Sequence, residues 1–189
     1  MAKIYLAGPD VFLPDAVAFG RRKVELCRRH GLIGLYPLDN TVDPAANDAS
    51  LRIFRGNEAM MNQADAIIAN LTPFRGPGAD AGTVYELGYM IGRGKLCLGY
   101  SNDPSRYAER VTSGATAASG RSRIDAEGLT VEDFGLTDNL MIVHALDLHG
   151  CALLTPQQAA ADPWHDLTSF EACVRLAARL TEPNPCASS

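Results

Sequence analysis

Hydrophobic and polar positions along the chain alternate between short strand-like runs and longer helical ones. Residues 3–8 (Lys-Ile-Tyr-Leu-Ala-Gly) form an apolar run of strand length. A helix opens at residues 13–15 and runs to about residue 30, with Pro14 at an early position and Gly31 just past its end. Residues 32–36 read as a second strand and residues 47–63 as a second helix, irregular near Gly56. Residues 65–71 are a third strand, residues 83–93 a third helix stopped by Gly94, and residues 95–100 a fourth strand. Strands alternating with helices at this spacing imply βαβ crossovers and a parallel, doubly wound α/β sheet with helices on both faces.

Past the fourth strand the pattern loosens. Residues 111–123 are small, polar and dotted with Gly, which predicts a mobile surface loop and not a domain linker, because the next segment has too little to fold alone. Residues 137–148 start with good N-cap types and are apolar almost all round, so this helix is expected to be buried in the core or against another subunit. Residues 163–180 form a last helix and residues 181–189 a frayed tail. No internal repeat is visible, and residues 1–189 read as one domain.

Composition narrows the class. The net charge of -5 argues against a nucleic-acid partner, which normally requires a basic face. No apolar run approaches the roughly 20 residues that span a bilayer, and Met-Ala-Lys-Ile-Tyr leads straight into a strand pattern, so neither membrane nor signal peptide is expected. The five cysteines are an odd number with no C-x-x-C pair, the usage of a reducing cytoplasm. The four histidines have no metal-binding spacing. We expect no metal and no cofactor.

The chemistry is concentrated after the third strand. A Gly/Pro loop (Thr-Pro-Phe-Arg-Gly-Pro-Gly-Ala-Asp80) leads into the helix at Thr83, at the sheet edge where α/β proteins place ligands. It delivers two carboxylates, Asp80 and Glu86, and paired carboxylates serve chemistry at a sugar C1 carbon. Glu86 has a structural alternative: Thr83-Val-Tyr-Glu86 fits a capping box with Thr83 as the cap. In that register Glu86 stands in the first turn, where the helix dipole keeps a carboxylate ionised and nucleophilic. Asp80 either bonds its own loop or accepts hydrogen bonds from sugar hydroxyls.

The turn after the first strand, Gly8-Pro9-Asp10-Val-Phe12, contains an imide and an acid, poor partners for a phosphate and better suited to a neutral heterocycle. Phe12 packs in the core or faces that heterocycle. Tyr5 points away from the face of Ile4 and Leu6, as a core tyrosine or a donor on the pocket floor. Asn70 is polar where an apolar strand meets the ligand edge.

Four segments together resemble the nucleoside 2-deoxyribosyltransferases: Lys3-Ile-Tyr-Leu-Ala-Gly-Pro-Asp-Val-Phe12, Ala64-Asp-Ala-Ile-Ile-Ala-Asn-Leu-Thr-Pro-Phe-Arg75, Asp80-x-Gly-Thr-x-Tyr-Glu86-Leu-Gly88 and Asp138-Asn139-Leu-Met141. The resemblance implies a flavodoxin-like fold and transfer of 2-deoxyribose from one purine or pyrimidine base to another, with a deoxynucleoside and a free nucleobase as substrates. It makes Glu86 the nucleophile, Asp80 the sugar-binding acid and Tyr5 the group that orients Glu86. It implies a homo-oligomer with shared sites, in which Asn139, with Met141 beside it, completes a neighbour's pocket. Asn70 stands where some members place a proton-shuttling Asp, which leaves that role to Asp10 or a water. Two other readings compete. One is the related 2′-deoxynucleoside 5′-monophosphate N-hydrolase, disfavoured by the acidic Gly8-Pro9-Asp10 turn. The other is a non-catalytic nucleotide-binding module with Glu86 only a cap.

Overall fold

The computed structural model describes residues 1–40, 42–43, 45–112 and 123–181. Strands β1 (Lys3–Ala7), β2 (Ile33–Leu35), β3 (Ala66–Asn70) and β4 (Leu96–Tyr100) pair in parallel in the order β2-β1-β3-β4. The segment 150–154 lies parallel against the free edge of β4: the Cys151 amide donates to Cys97 at 3.2 Å, the Leu154 amide to Gly99 at 3.0 Å and the Ser101 amide to Leu154 at 2.9 Å. With that segment in fifth place the order is the flavodoxin-like one, as the resemblance implied. The segment leaves no strand signal in the sequence, because it is five residues long and opens with a glycine. Gly150 is required there, since a Cβ would stand 1.9 Å from the Cys97 carbonyl oxygen.

Side-chain alternation divides the core into two layers. Ile4, Leu6, Ile68, Leu98 and Tyr100 face α1 (Ala16–Arg29) and α6 (Thr168–Thr181), through Cys27, Phe170, Cys173 and Val174. Tyr5, Ala7, Ile67 and Ala69 face the other way, toward α2 (Ala49–Gln63), α3 (Ala81–Gly92) and α5 (Leu140–His149), through Met61, Leu87, Met90 and Leu146. The period-two pattern of β1 therefore sends Tyr5 toward α3, the helix that holds Glu86.

Several boundaries differ from expectation. The second helix is continuous through Gly56, which packs so closely on Asn40 that a Cβ would lie 2.4 Å from its Nδ2. The last apolar helix begins at Leu140 and is buried along one face only: Ile142, Val143 and Leu146 pack inward, while Met141 (71% exposed) and Leu148 (77%) face outward. Of the expected loop at 111–123, Val111 ends a short helix α4 (Tyr107–Val111) and Arg123 opens a small antiparallel ribbon of β5 (Arg123–Ile124) and β6 (Thr130–Val131). Residues 113–122, like residues 182–189 of the expected tail, lie outside the described residues. Among the described residues no helix is long and apolar enough to cross a membrane.

Candidate active site

The Tyr5 hydroxyl donates a hydrogen bond of 2.6 Å to Glu86 Oε1. Tyr5 is fully buried, and burial, with the Glu86 charge added, pushes its hydroxyl far above the usual tyrosine range. It therefore holds its proton and acts as donor to the carboxylate. Burial likewise raises Glu86, to about 7; the Tyr5 hydrogen bond pulls it down and the charge of Asp80 pushes it further up. A carboxylate with that value is partly ionised at neutral pH and costly to keep charged where it stands.

Asp80 is the N-cap of α3. Its Oδ2 accepts from the Thr83 amide at 2.8 Å and the Thr83 hydroxyl at 2.9 Å. This corrects the expected helix start: α3 begins at Ala81, so Thr83 is a first-turn residue and not the cap. Glu86 falls in the second turn, where it makes no capping box and lies beyond the strongest part of the dipole. The structural alternative for Glu86 falls with it.

Asp80 and Glu86 line a cavity of about 460 Å³ together with Gly8, Phe12 and Thr83. Phe12 is no core residue. It is 58% exposed and stacks on Phe74 at 5.4 Å and 11°, Phe74 in turn meeting the edge of Trp164 at 5.9 Å. The Arg75 guanidinium covers both phenyl rings at 5.1 and 4.6 Å. Leu38, Asn40, Ile53 and Asn57 also line the cavity, with Asn40 Nδ2 donating to Asn57 Oδ1 at 3.3 Å. Asn40 and Asn57 were missed in the sequence. The spacing of Ile53 and Asn57, one helical turn apart on α2, was the available signal for the second; nothing marked the first.

Pro9, Asp10 and Asn70 are not brought to the cavity lining. Asp10 is wholly buried, its carboxylate held by Lys23 Nζ at 3.0 and 3.2 Å and by Asn70 Nδ2 at 3.1 Å. Asn70 Oδ1 accepts from the Thr72 amide at 3.1 Å. A charge this deep requires such a partner, and Lys23 of α1 went unremarked in the sequence. Two expectations change. Asp10, sealed and fully engaged, is not placed to carry a proton to the base. Its charge, matched by Lys23, also no longer argues against a 5′-phosphate. That argument passes to the cavity itself, whose described lining holds two carboxylates and no Lys, Arg or His. Gly8 must be glycine, since a Cβ would stand 2.4 Å from Asp10 Oδ1 and 2.7 Å from Asn70 Cβ.

Asn139 and Met141 also lie away from the lining of this cavity. Asn139 caps α5, its Oδ1 accepting from the Met141 amide at 3.0 Å and its Nδ2 donating to Glu132 at 3.0 Å. Among the described residues no group of three or more His, Cys, Asp or Glu is arranged to hold a metal ion.

The model of the nucleoside 2-deoxyribosyltransferase family matches residues 4–141. An uncharacterised protein of Schizosaccharomyces pombe is 35% identical over 156 residues, 73% of this chain and 74% of that protein. The solved structure of a 2-deoxyribosyltransferase from Leishmania mexicana is 32% identical and covers 92% of this chain and 97% of its own, with a TM-score of 0.63. A conserved protein of Enterococcus faecalis, 20% identical with a TM-score of 0.56, covers 95% of this chain and 98% of its own and shares the fold. A hydrogen-bonded Tyr–Glu pair beside a capping aspartate, at the carboxyl edge of a flavodoxin-ordered sheet, thus sits inside the matched region, and the chain belongs to the nucleoside 2-deoxyribosyltransferase family.

Proposed function

We propose that this protein transfers 2-deoxyribose between purine and pyrimidine bases by a retaining double displacement through an ester on Glu86. The observation that carries the reading is the Tyr5–Glu86 hydrogen bond, which engages Oε1 of a carboxylate that lines the same cavity as Asp80. In the first step a Glu86 oxygen attacks C1′. The C1′–N bond breaks, its electron pair passes to the base, and the base takes up a proton on a ring nitrogen. In the second step a ring nitrogen of the incoming base attacks C1′ from the original face. The ester C–O bond breaks, its electrons return to Glu86, and the new base loses a proton. With Asp10 sealed behind the wall, water in the open cavity carries these protons.

Asp80 holds the sugar's free 5′-hydroxyl, with Oδ2 already committed to the helix cap and Oδ1 left for the substrate. Phe12 offers an apolar face to the base, and Asn40 and Asn57 offer amide donors and acceptors to its edge. A deoxysugar is the easier donor, because a 2′-hydroxyl would withdraw electrons from the oxocarbenium-like transition state. A second copy of the chain completes the pocket with Asn139 of the partner subunit; the exposed Met141 stands beside it at the start of α5. The enzyme acts in nucleoside salvage in the cytoplasm.

Hydrolysis of a 5′-monophosphate is the second reading, disfavoured by the two carboxylates of a cavity whose described lining includes no Lys, Arg or His. Base exchange by the purified protein, assayed with and without an acceptor base, separates the readings. Transfer that disappears in a folded Glu86→Ala variant is the expected result. A folded variant that keeps most of its activity excludes the mechanism, and faster turnover of a deoxynucleoside monophosphate than of its nucleoside moves the protein to the hydrolases.

A further inference from the structure

Arg110, which the proposed mechanism does not use, stands where three segments meet. From α4 its Nε donates to the Pro77 carbonyl at 2.7 Å, Nη1 to Ser105 at 2.6 Å and Nη2 to Thr137 at 2.6 Å. Its side chain is 10% exposed, and Asp138 (3% exposed) has Oδ2 at 3.6 Å from Nη2. A guanidinium can serve three carbonyls at once because its donors diverge in one rigid plane; an ammonium is a single point.

The three carbonyls belong to the loop before Asp80, the loop after β4 and the segment before α5. The first of these has little of its own to hold it. Between Leu71 and Asp80 it contains Pro73, Gly76, Pro77 and Gly78, carries Arg75 in the left-handed region at φ 55°, and closes one turn by a 3.0 Å bond from the Phe74 amide to Gly78. Asp138 meets the same loop beside Arg110. Its Oδ1 accepts from the Asn139 amide at 2.7 Å, and a Cβ on Gly78 would come within 3.7 Å of that oxygen. Burial pushes the Asp138 carboxyl up, and the amides of Asn139 and Ala79 and the Arg110 charge pull it back. Pro77 is three residues from Asp80, so whatever holds its carbonyl also limits where the Asp80 carboxylate can stand.

We propose that Arg110 is a positioning residue for the reaction: by tying Pro77 to Ser105 and Thr137 it sets the place of Asp80 relative to Glu86, and so the place of the sugar's C1′ before the Glu86 oxygen. The proposal rests on the reading of Asp80 as the sugar-side carboxylate and Glu86 as the nucleophile. A misplacement of about 1 Å at a reacting centre costs on the order of 10²-fold in rate.

The test is a double-mutant cycle with a structural readout beside it. Arg110→Ala is expected to lower kcat on the order of 10²-fold. In the Asp80→Asn background the same change is expected to cost no more than about a few-fold, because a residue that acts through Asp80 has little left to position there. Losses that multiply in full, or a single variant with wild-type kcat, overturn the proposal. Arg110→Lys keeps a charge beside Asp138 and serves if the alanine variant fails to fold. It is expected to remain impaired, and full activity in it overturns the role of the three-way fork. Amide hydrogen exchange supplies the readout that needs no turnover. The peptide covering residues 73–80 should exchange faster in either Arg110 variant while β1 and β3 stay protected, and unchanged exchange overturns the tie itself. Absence of glycosyl chemistry in the wild-type protein would count against the proposed function and leave the exchange result standing.

Discussion

At the residue scale, Glu86 is a carboxylate kept at a cost. Burial raises it to about 7, and the Tyr5 hydroxyl is the group that works against burial. Only the ionised form attacks C1′, so kcat/KM should climb with pH through about 7 and level off above it, as a pH–rate profile would show. Tyr5→Phe removes the lowering hydrogen bond, so its limb should move to higher pH; a limb that stays in place would mean that Tyr5 does not tune the nucleophile. The same shift has a stability consequence whose sign is fixed. An acid whose folded value lies above its unfolded value of 4.5 costs stability as pH rises through that interval, with the full cost present above about 7. Residue types and spacing marked Asp80 and Glu86 through the Gly/Pro loop, but left Tyr5 and Phe12 open between core and pocket until packing set Tyr5 on Glu86 and Phe12 at the cavity. Lys23 and Arg110 were not legible: an Arg or Lys on a helix reads as a solvated face until tertiary packing puts a carboxylate or a row of carbonyls beside it.

At the scale of elements, the start of α3 shows where sequence reading divides. Thr83-x-x-Glu86 fits a capping box, but Asp80, the better cap type three residues earlier, takes the position. Asp80 then serves both helix and substrate, and the two uses can be separated. Asp80→Asn retains a good cap and should stay close to wild-type stability while losing most activity. Asp80→Ala should lose activity and in addition about 0.5–2 kcal/mol of stability, the ordinary worth of a cap. Thermal or denaturant melts beside kinetics check both, and an Asn variant as unstable as the Ala variant would contradict the cap assignment. The four strands were visible as apolar runs. The fifth segment was not, since Gly150 and its short neighbours owe their place to the edge of β4 and not to their own propensity.

At the scale of the molecule, the site lies where the strand order reverses between β1 and β3, the switch point of a flavodoxin-ordered sheet. The carboxyl end of β1 supplies Gly8 and Phe12, and the connection after β3 supplies Asp80 and Glu86. Met141 and Leu148 leave apolar surface exposed on α5, and the shared-site proposal assigns its cover to a second copy. If sites are shared, mixing inactive Glu86→Ala with inactive Asn139→Ala after subunit exchange should restore part of the activity. No rescue despite proven exchange would keep Asn139 in its own subunit.

The covalent ester is the central claim. The protein should be incubated with a deoxynucleoside and no acceptor base, quenched, and its peptides mapped by mass. The predicted result is a deoxyribosyl adduct on Glu86, absent from Glu86→Ala, and transfer products of retained anomeric configuration, because two inversions restore the original one. A product of inverted configuration with no adduct on Glu86 would contradict it.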